Sequence, residues 1–238
     1  MVETIFPLML EDACVSKKGM RLVGPLSLVL DGTGITILLG PNGSGKTTLL
    51  KLMHGLERPK TGHVRWAVPN PIANMKQSFV FQTPIVMRRT VLENMAYPLI
   101  VRKMNRKTAF SKAEEWIENV GLKQSIYKDA TVLSGGEKQK LAIGRGLITK
   151  PDILFLDEPS ANLDGASTQE IERLILEAAN GGTRIVMATH DFGQARRLAE
   201  DILFLYRGNI HERNSAAEFF GTPKTKEALS FINGDILI

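Results

Sequence analysis

Three residue clusters in this 238-residue chain have the types and spacing for phosphate chemistry. The first is Gly40-Pro41-Asn42-Gly43-Ser44-Gly45-Lys46-Thr47, followed by Thr48, which matches G-x-x-x-x-G-K-[ST]. Glycines let backbone N–H groups turn inward and approach phosphate oxygens without a Cβ in the way. A helix opening at the end of such a loop adds the positive end of its dipole. Lys46 then reaches the β- and γ-phosphates of a nucleotide, and Thr47 ligates Mg²⁺. The second cluster is Ile153-Leu154-Phe155-Leu156-Asp157-Glu158, four apolar residues ending in two acids. A buried parallel strand delivers its last residues to the crevice where ligands sit in open α/β sheets. There Asp157 holds Mg²⁺ together with Thr47, and Glu158 serves as general base toward a water attacking the γ-phosphate. The third cluster is Leu133-Ser134-Gly135-Gly136-Glu137. Ser134 and Glu137 have capping-box spacing, so a plain helix start accounts for them; the exposed glycines also make that helix end an anion site. This cluster lies far along the chain from the phosphate loop.

The elements that must position these groups are legible from apolar runs and breakers. Ile5 to Val15 and Arg21 to Leu30 read as strands around a turn at Lys17-Lys18-Gly19. Ile35 to Leu39 reads as a short strand feeding the glycine-rich loop, and Thr47 to Leu56 as the helix after it, ended by Gly55 and Pro59. Ser78 to Phe81 is a further strand. Residues from about 83 to 146 read as helical, with capping boxes at Thr90–Glu93 and Ser111–Glu114. Strand Ile153–Leu156, a helix around Ser167–Ala179, strand Arg184–Thr189, helix Phe192–Leu198 and strand Ile202–Tyr206 follow, then short helices at Ala216–Phe220 and Glu227–Ile232. Alternating β and α with fully apolar strands predicts a parallel sheet covered on both faces. The helical stretch interrupts it as an insertion.

Composition narrows the class. The hydrophobic fraction of 43% and the charged fraction of 23% are those of a globular protein, not of a disordered or coiled-coil chain. No apolar run approaches the ~18 residues that span a bilayer, and Glu3 stands where an export signal would be basic. The single cysteine, Cys14, excludes an internal disulfide and a thiol-based metal cluster, and its place in a strand predicts burial. A net charge of +5 is compatible with anionic partners of several kinds.

The order of these motifs resembles that of the ATP-binding cassette (ABC) ATPases. The match rests on Gly40–Thr48, Gln82 after a strand, Leu133–Glu137, Ile153–Pro159, Ser160-Ala161-Asn162-Leu163-Asp164 and Thr189-His190-Asp191, and covers about residues 5 to 210. It implies an α/β fold: a P-loop NTPase core with a mostly parallel sheet, an N-terminal antiparallel β part and an inserted helical subdomain. It implies one cassette, with residues 1–82 and 147–238 as nucleotide-binding core and 83–146 as helical subdomain. It implies ATP hydrolysis with Mg²⁺. Gln82 would contact Mg²⁺ and the attacking water. His190, which by residue type alone is a strand-end histidine with no ligand, would contact the γ-phosphate and hold Glu158. Ser134, Gly135, Gly136 and Glu137 would face the γ-phosphate of ATP held by a second copy of the chain, two copies sandwiching two ATP head to tail. Asp164 would signal across that dimer.

The same resemblance implies a role in transport. The chain looks like the separate ATPase subunit of a multi-chain transporter, bound to transmembrane permease subunits on the cytoplasmic face of the plasma membrane. A solute-binding protein would be an indirect partner, and no nucleic acid is expected. The permease would dock near Thr83–Arg89. Phe81–Arg89 and the tail runs Phe219–Pro223 and Phe231–Asp235 resemble short importer subunits for oxyanions such as tungstate or phosphate, or for amino acids. The alternatives are an exporter or lipoprotein-release ATPase and a non-transport ATPase such as those of iron–sulfur assembly. The chain departs from the family pattern twice. Lys18 stands where an aromatic usually stacks on adenine, and no aromatic lies between Phe6 and Trp66. Gly144 and Gly146 stand in the signature helix where alanine is usual, at about 1 kcal/mol of helix propensity each.

Overall fold

The computed structural model describes residues 4–235. The elements in chain order are β1 (Leu8–Lys17), β2 (Met20–Leu30), β3 (Ile35–Leu39), α1 (Lys46–His54), β4 (Thr61–Trp66), α2 (Asn70–Met75), β5 (Gln77–Val80), α3 (Val91–Val101), α4 (Arg106–Asn119), α5 (Gly135–Leu147), β6 (Ile153–Asp157), α6 (Gly165–Asn180), β7 (Arg184–Ala188), α7 (Phe192–Leu198), β8 (Asp201–Tyr206), β9 (Asn209–Ser215), α8 (Ala216–Gly221) and α9 (Lys226–Asn233). β2, β1 and β4 form an antiparallel sheet. The other six strands form a second sheet in the order β5-β6-β7-β3-β8-β9, parallel except for β9.

The two-residue period of a strand divides the core in two. Ile37, Leu154, Leu156, Ile185, Met187, Ile202 and Phe204 face one side of the parallel sheet and pack with residues of α3 to α7. Leu38, Phe155, Val186, Leu203 and Leu205 face the other side and pack with the antiparallel sheet and with Leu49, Leu50, Leu52 and Met53 of α1. Burial on both faces is why β3, β6 and β7 lack polar alternation. The polar exceptions are paired. Thr36 donates to Asp201 Oδ2 at 2.7 Å and also bonds Arg184.

Several expectations shift. The first strand begins at Leu8, not Ile5, and Cys14 is half-buried rather than buried. β4 and β9 were not foreseen; β4 alternates exposed and half-buried residues, and β9 is mostly polar, so neither carries an apolar run. Within residues 83–146 the first eight are not helical. The capping boxes at Thr90–Glu93 and Ser134–Glu137 both form. The one expected at Ser111–Glu114 does not: it lies inside α4, whose N-cap is Asn105. A capping-box pattern marks a helix start only where the preceding residues leave the helix, and here they continue it.

Packing explains the two signature-helix glycines. A Cβ on Gly144 would lie 2.6 Å from Met95 Cε and 3.1 Å from Val120 Cγ1. A Cβ on Gly146 would lie 3.2 Å from Leu154 Cδ1. An alanine at 144 would make the buried end of Met95 move and crowd Val120, and one at 146 would make Leu154 give by a few tenths of an ångström. Overpacking costs ~1–3 kcal/mol, more than the ~1 kcal/mol gained in propensity. Gly144→Ala is expected to lower the urea-unfolding free energy. Gly165, with ordinary φ and open space around its Cβ position, is the control. Gly165→Ala should raise stability by about 0.5–1 kcal/mol.

Candidate functional site

Strand register brings the motifs together. Val80 pairs with Leu156, Asp157 with Ala188, Leu38 with Ala188, and Leu39 with Phe204. The residues after these ends, Gln82, Glu158, His190 and Gly40, therefore leave the sheet along one edge. At that edge lies a cavity of about 320 Å³ lined by Leu22, Asn42, Gly43, Gly45, Lys46, Thr47, Thr48 and Glu158.

The loop Gly40–Thr48 turns between β3 and α1 with φ of 150° at Gly40, 77° at Gly43 and 104° at Gly45. A Cβ at Gly40 would fall 2.1 Å from the Leu205 carbonyl oxygen, so the loop is pressed on the sheet. Gly45 is the N-cap of α1 in a left-handed conformation, with no side chain occupying the helix end. The first amides of α1 are thus open to an anion. Lys46 is buried and donates to Gly40 O at 2.8 Å and Pro41 O at 3.1 Å. Burial pulls its ammonium pKa down, and Glu158 and Asp157 nearby oppose this. Ser44 Oγ is buried without a hydrogen-bond partner.

Thr47 donates to Asp157 Oδ1 at 2.8 Å. Burial raises the Asp157 carboxyl, the Thr47 hydroxyl opposes that rise, and Glu158 adds to it. Mg²⁺ takes oxygen ligands, commonly one carboxylate plus substrate phosphates. A hydroxyl and a buried carboxylate side by side at a phosphate loop fit that need, and the orphaned Ser44 hydroxyl adds a donor facing the loop. Among the described residues no group of three or more His, Cys, Asp or Glu could hold a metal alone. The substrate's oxygens must complete the shell.

Glu158 has φ of 46° and donates its backbone N–H to Ala188 O at 2.9 Å. That left-handed turn directs its carboxylate away from Asp157 and toward the cavity. Gln82 Nε2 donates to Glu158 Oε2 at 3.0 Å, and His190 Nδ1 lies 3.2 Å from the same oxygen. Gln82, Glu158 and His190 thus converge on one atom. Ser134 to Glu137 stand elsewhere. Ser134 Oγ accepts from Glu137 N at 3.3 Å, and Glu137 Oε2 accepts from Ser134 N at 2.9 Å. No hydrogen bond or ion pair joins them to the phosphate loop among the described residues. Asp164 caps α6, accepting from Ser167 N at 2.8 Å and Ser167 Oγ at 3.1 Å, and these bonds lower its pKa. A Cβ on Gly136 would lie 2.6 Å from Ser167 Oγ, so Asp164 and the Ser134–Glu137 helix end sit against the same residue.

Lys18, in the position where an aromatic was expected, lies exposed in the β1–β2 turn with φ of 49° and does not line the cavity; Leu22 does. Sequence reasoning also missed Gln194, which is fully buried beside the Glu158 loop. A lone glutamine in a short helix carries no signal before the loops are known to meet.

A family model described as ABC transporter matches residues 23–161. The fold and the phosphate-binding edge agree with it, and the chain belongs to the ABC transporter ATPase family. It is an ATP hydrolase of that class, with ATP as substrate and Mg²⁺ as its metal. It is 35% identical over 208 residues to the arginine transport ATP-binding protein ArtM of Bacillus subtilis, covering 83% of this chain and 87% of ArtM. It is 36% identical over 197 residues to the tungstate uptake system ATP-binding protein TupC of Peptoclostridium acidaminophilum, covering 82% and 92%. The ATP-binding cassette MJ0796, solved as a dimer bound to ADP and Pi, superimposes with a TM-score of 0.78 at 25% identity, covering 88% of this chain and 98% of that one.

Removing the Lys46 ammonium should leave the phosphate loop without its cation. A hydrogen bond to a charged group is worth ~1.5–3 kcal/mol, so Lys46→Ala is expected to weaken ATP binding by about 10- to 100-fold by calorimetry. Asp157→Asn should instead abolish the Mg²⁺-dependent part of ATP affinity. In the unaltered protein that part should fade as pH falls toward the raised Asp157 pKa, because the metal needs the ionised carboxylate.

Proposed function

We propose that the chain is the ATP-hydrolysing subunit of a multi-chain importer, working as a head-to-tail pair that encloses two ATP between its copies. The observation that carries this is the division of the site. Lys46, Thr47 and Glu158 line one cavity, with Asp157 bonded to Thr47, while the capped helix end, exposed at Ser134 and Gly135, has no bond to it. A second copy supplies that helix end to the γ-phosphate. In this reading Glu158 takes the proton of the attacking water, with Gln82 and His190 holding its carboxylate and the water in line. Thr47 and Asp157 hold Mg²⁺, with Gln82 near it, and the ion supplies charge neutralisation on the phosphates. Asp164 passes the state of one site to the other across the pair. Closure with ATP and opening after hydrolysis then bias the permease between its conformations.

Residues 1–82 and 147–238 are assigned to the nucleotide-binding core and 83–146 to a helical subdomain, supported by the packing of α3, α4 and α5 on one another. A groove of about 510 Å³ between the two, lined among others by Leu56, Phe79, Phe81, Ile85 and Tyr97, suits a permease helix. Arg145 at its floor donates to Ile85 O at 2.6 Å and Asn94 Oδ1 at 3.3 Å; Arg102 in the adjoining pocket donates to Met75 O at 2.6 Å and Thr149 O at 3.1 Å. Burial lowers both guanidinium pKa values, and no acidic residue lines either pocket. The docking segment is therefore apolar with a carboxylate. Among the described residues no helix is long and apolar enough to cross a membrane. The solute is an oxyanion such as tungstate or phosphate, or an amino acid, on the strength of TupC and ArtM.

The test is to purify tagged Glu158→Gln protein with ATP from gently solubilised membranes. General-base loss should lower turnover by about 100-fold or more, and dimer should accumulate. A multi-span permease should come with it, and Ile85→Asp should lose the permease while keeping ATP. Near-normal turnover would refute the base assignment, and purely soluble partners would refute transport.

A further inference from the structure

Two loops meet at the hydrolytic centre, one leading from β6 through Glu158 to Asp164, the other from β7 through His190 to α7. On the solvent side they touch through His190 Nδ1 and Glu158 Oε2, 3.2 Å apart. The His190 side chain is 58% exposed, so packing does little to hold its ring. Its position follows from where α7 begins.

On the buried side the loops are joined by Gln194, in the first turn of α7 and 0% exposed. Its Nε2 donates to Ser160 Oγ at 2.9 Å, and the Ser160 hydroxyl donates back to its Oε1 at 3.1 Å. Ser160 lies two residues after Glu158 and four before Asp164. Gln194 Nε2 also reaches Glu172 Oε1 of α6 at 3.4 Å. Glu172 is buried and gripped twice by Arg197, one turn along α7: Nε to Oε2 at 2.8 Å and Nη2 to Oε1 at 2.6 Å. Asp191, next to His190, accepts from Gln194 N at 2.9 Å. Glu172 offers acceptors only, and Ser160 needs one donor and one acceptor. A neutral amide supplies both functions, whereas a carboxylate there would face Glu172 with like charge. A buried polar network is stable when every member is satisfied, and this one is satisfied in a single arrangement of α6, α7 and the Glu158 loop.

We propose that Gln194 is a positioning residue for hydrolysis. Through Ser160 it locks the His190 end of α7 to the Glu158–Asp164 loop, so that His190 and Glu158 are presented to the attacking water at a fixed spacing. This rests on the assignment of those two residues to the hydrolytic step. Gln194 touches neither nucleotide nor metal ligands, so its loss acts on turnover and not on ATP binding.

The experiment is a double-mutant cycle on the full chain with Gln194→Leu, Ser160→Ala and the pair, reading kcat, KM and calorimetric ATP affinity. Each single change should lower kcat by at least about fivefold and at most about 150-fold, from two neutral hydrogen bonds of ~0.5–1.5 kcal/mol each. The double variant should fall no further than either single one. ATP affinity should stay within about twofold, the KM-against-kcat split of a group that acts on turnover alone. Gln194→Glu adds a pH readout: its activity should recover as pH falls, because the protonated carboxyl donates as the amide does. Wild-type kcat in folded Gln194→Leu, multiplicative losses, or an equal loss of ATP affinity would overturn the proposal. Should Gln194→Leu fail to fold, Ser160→Ala decides by itself, since it removes one half-buried hydroxyl. Glu158→Gln run alongside separates the two levels. If it turns over normally, the assignment beneath has failed; if it is inactive while the Gln194 variants are normal, the positioning proposal has failed.

Discussion

A buried lysine with no carboxylate in contact is the constraint on which this structure turns. Lys46 is 6% exposed and bonds two backbone carbonyls of its own loop. Burial without an ionic partner costs several kcal/mol in principle, and the lowered pKa is its signature. Asp157 and Glu158 stand near enough to offset part of that cost electrostatically but are occupied with Thr47, Gln82 and His190. The uncompensated charge is what a phosphate chain satisfies. Everything else must keep this arrangement open: glycines that leave amides bare, β3 and β6 deep in the sheet to carry the loops, and α1 packed so that its first turn faces the cavity.

The parts legible in the sequence are those in which local chemistry and tertiary position coincide. β3 and α7 were read to the residue, because full burial makes one apolar at every position but Thr36 and Asp191 caps the other. The phosphate loop, Asp157 and Glu158 were legible because their residue types have few other uses at that spacing. β4 and β9 were not, since each is stabilised by cross-strand bonds to a neighbour whose place the sequence does not reveal. The Ser111–Glu114 pattern misled for the converse reason: local chemistry allowed a cap, and the longer helix won. Gly144 and Gly146 looked like propensity defects until Met95, Val120 and Leu154 appeared opposite them.

Gln82 and His190 converge on one oxygen of Glu158, so three separate segments of the fold meet at a single atom. Gln82 follows β5 and opens the stretch that leads to the groove beside Ile85. Glu158 leads toward Asp164, which binds the serine that Gly136 abuts. His190 leads into α7. A displacement of any one of these segments moves a partner of the Glu158 carboxylate. In the proposed transporter, coupling among permease contact, the pair interface and hydrolysis would need no long pathway, since the three segments meet at one acceptor atom.

α7 deserves its many anchors because it cannot hold itself. Seven residues make about two turns, too few for a helix to be stable alone in water. Its register is set by what grips it. Arg197 and Gln194 tie it to Glu172 and Ser160 on one side. On the other, Phe192 packs on Phe231 of α9 at 4.9 Å between ring centroids, and Arg196 lies 5.0 Å from the Phe220 ring centre in α8. The chain after β9 is therefore not a free tail in its effect on the site. α8 and α9 pack on the helix that follows His190, and the buried amide of Gln194 ties that helix to the loop that carries Glu158.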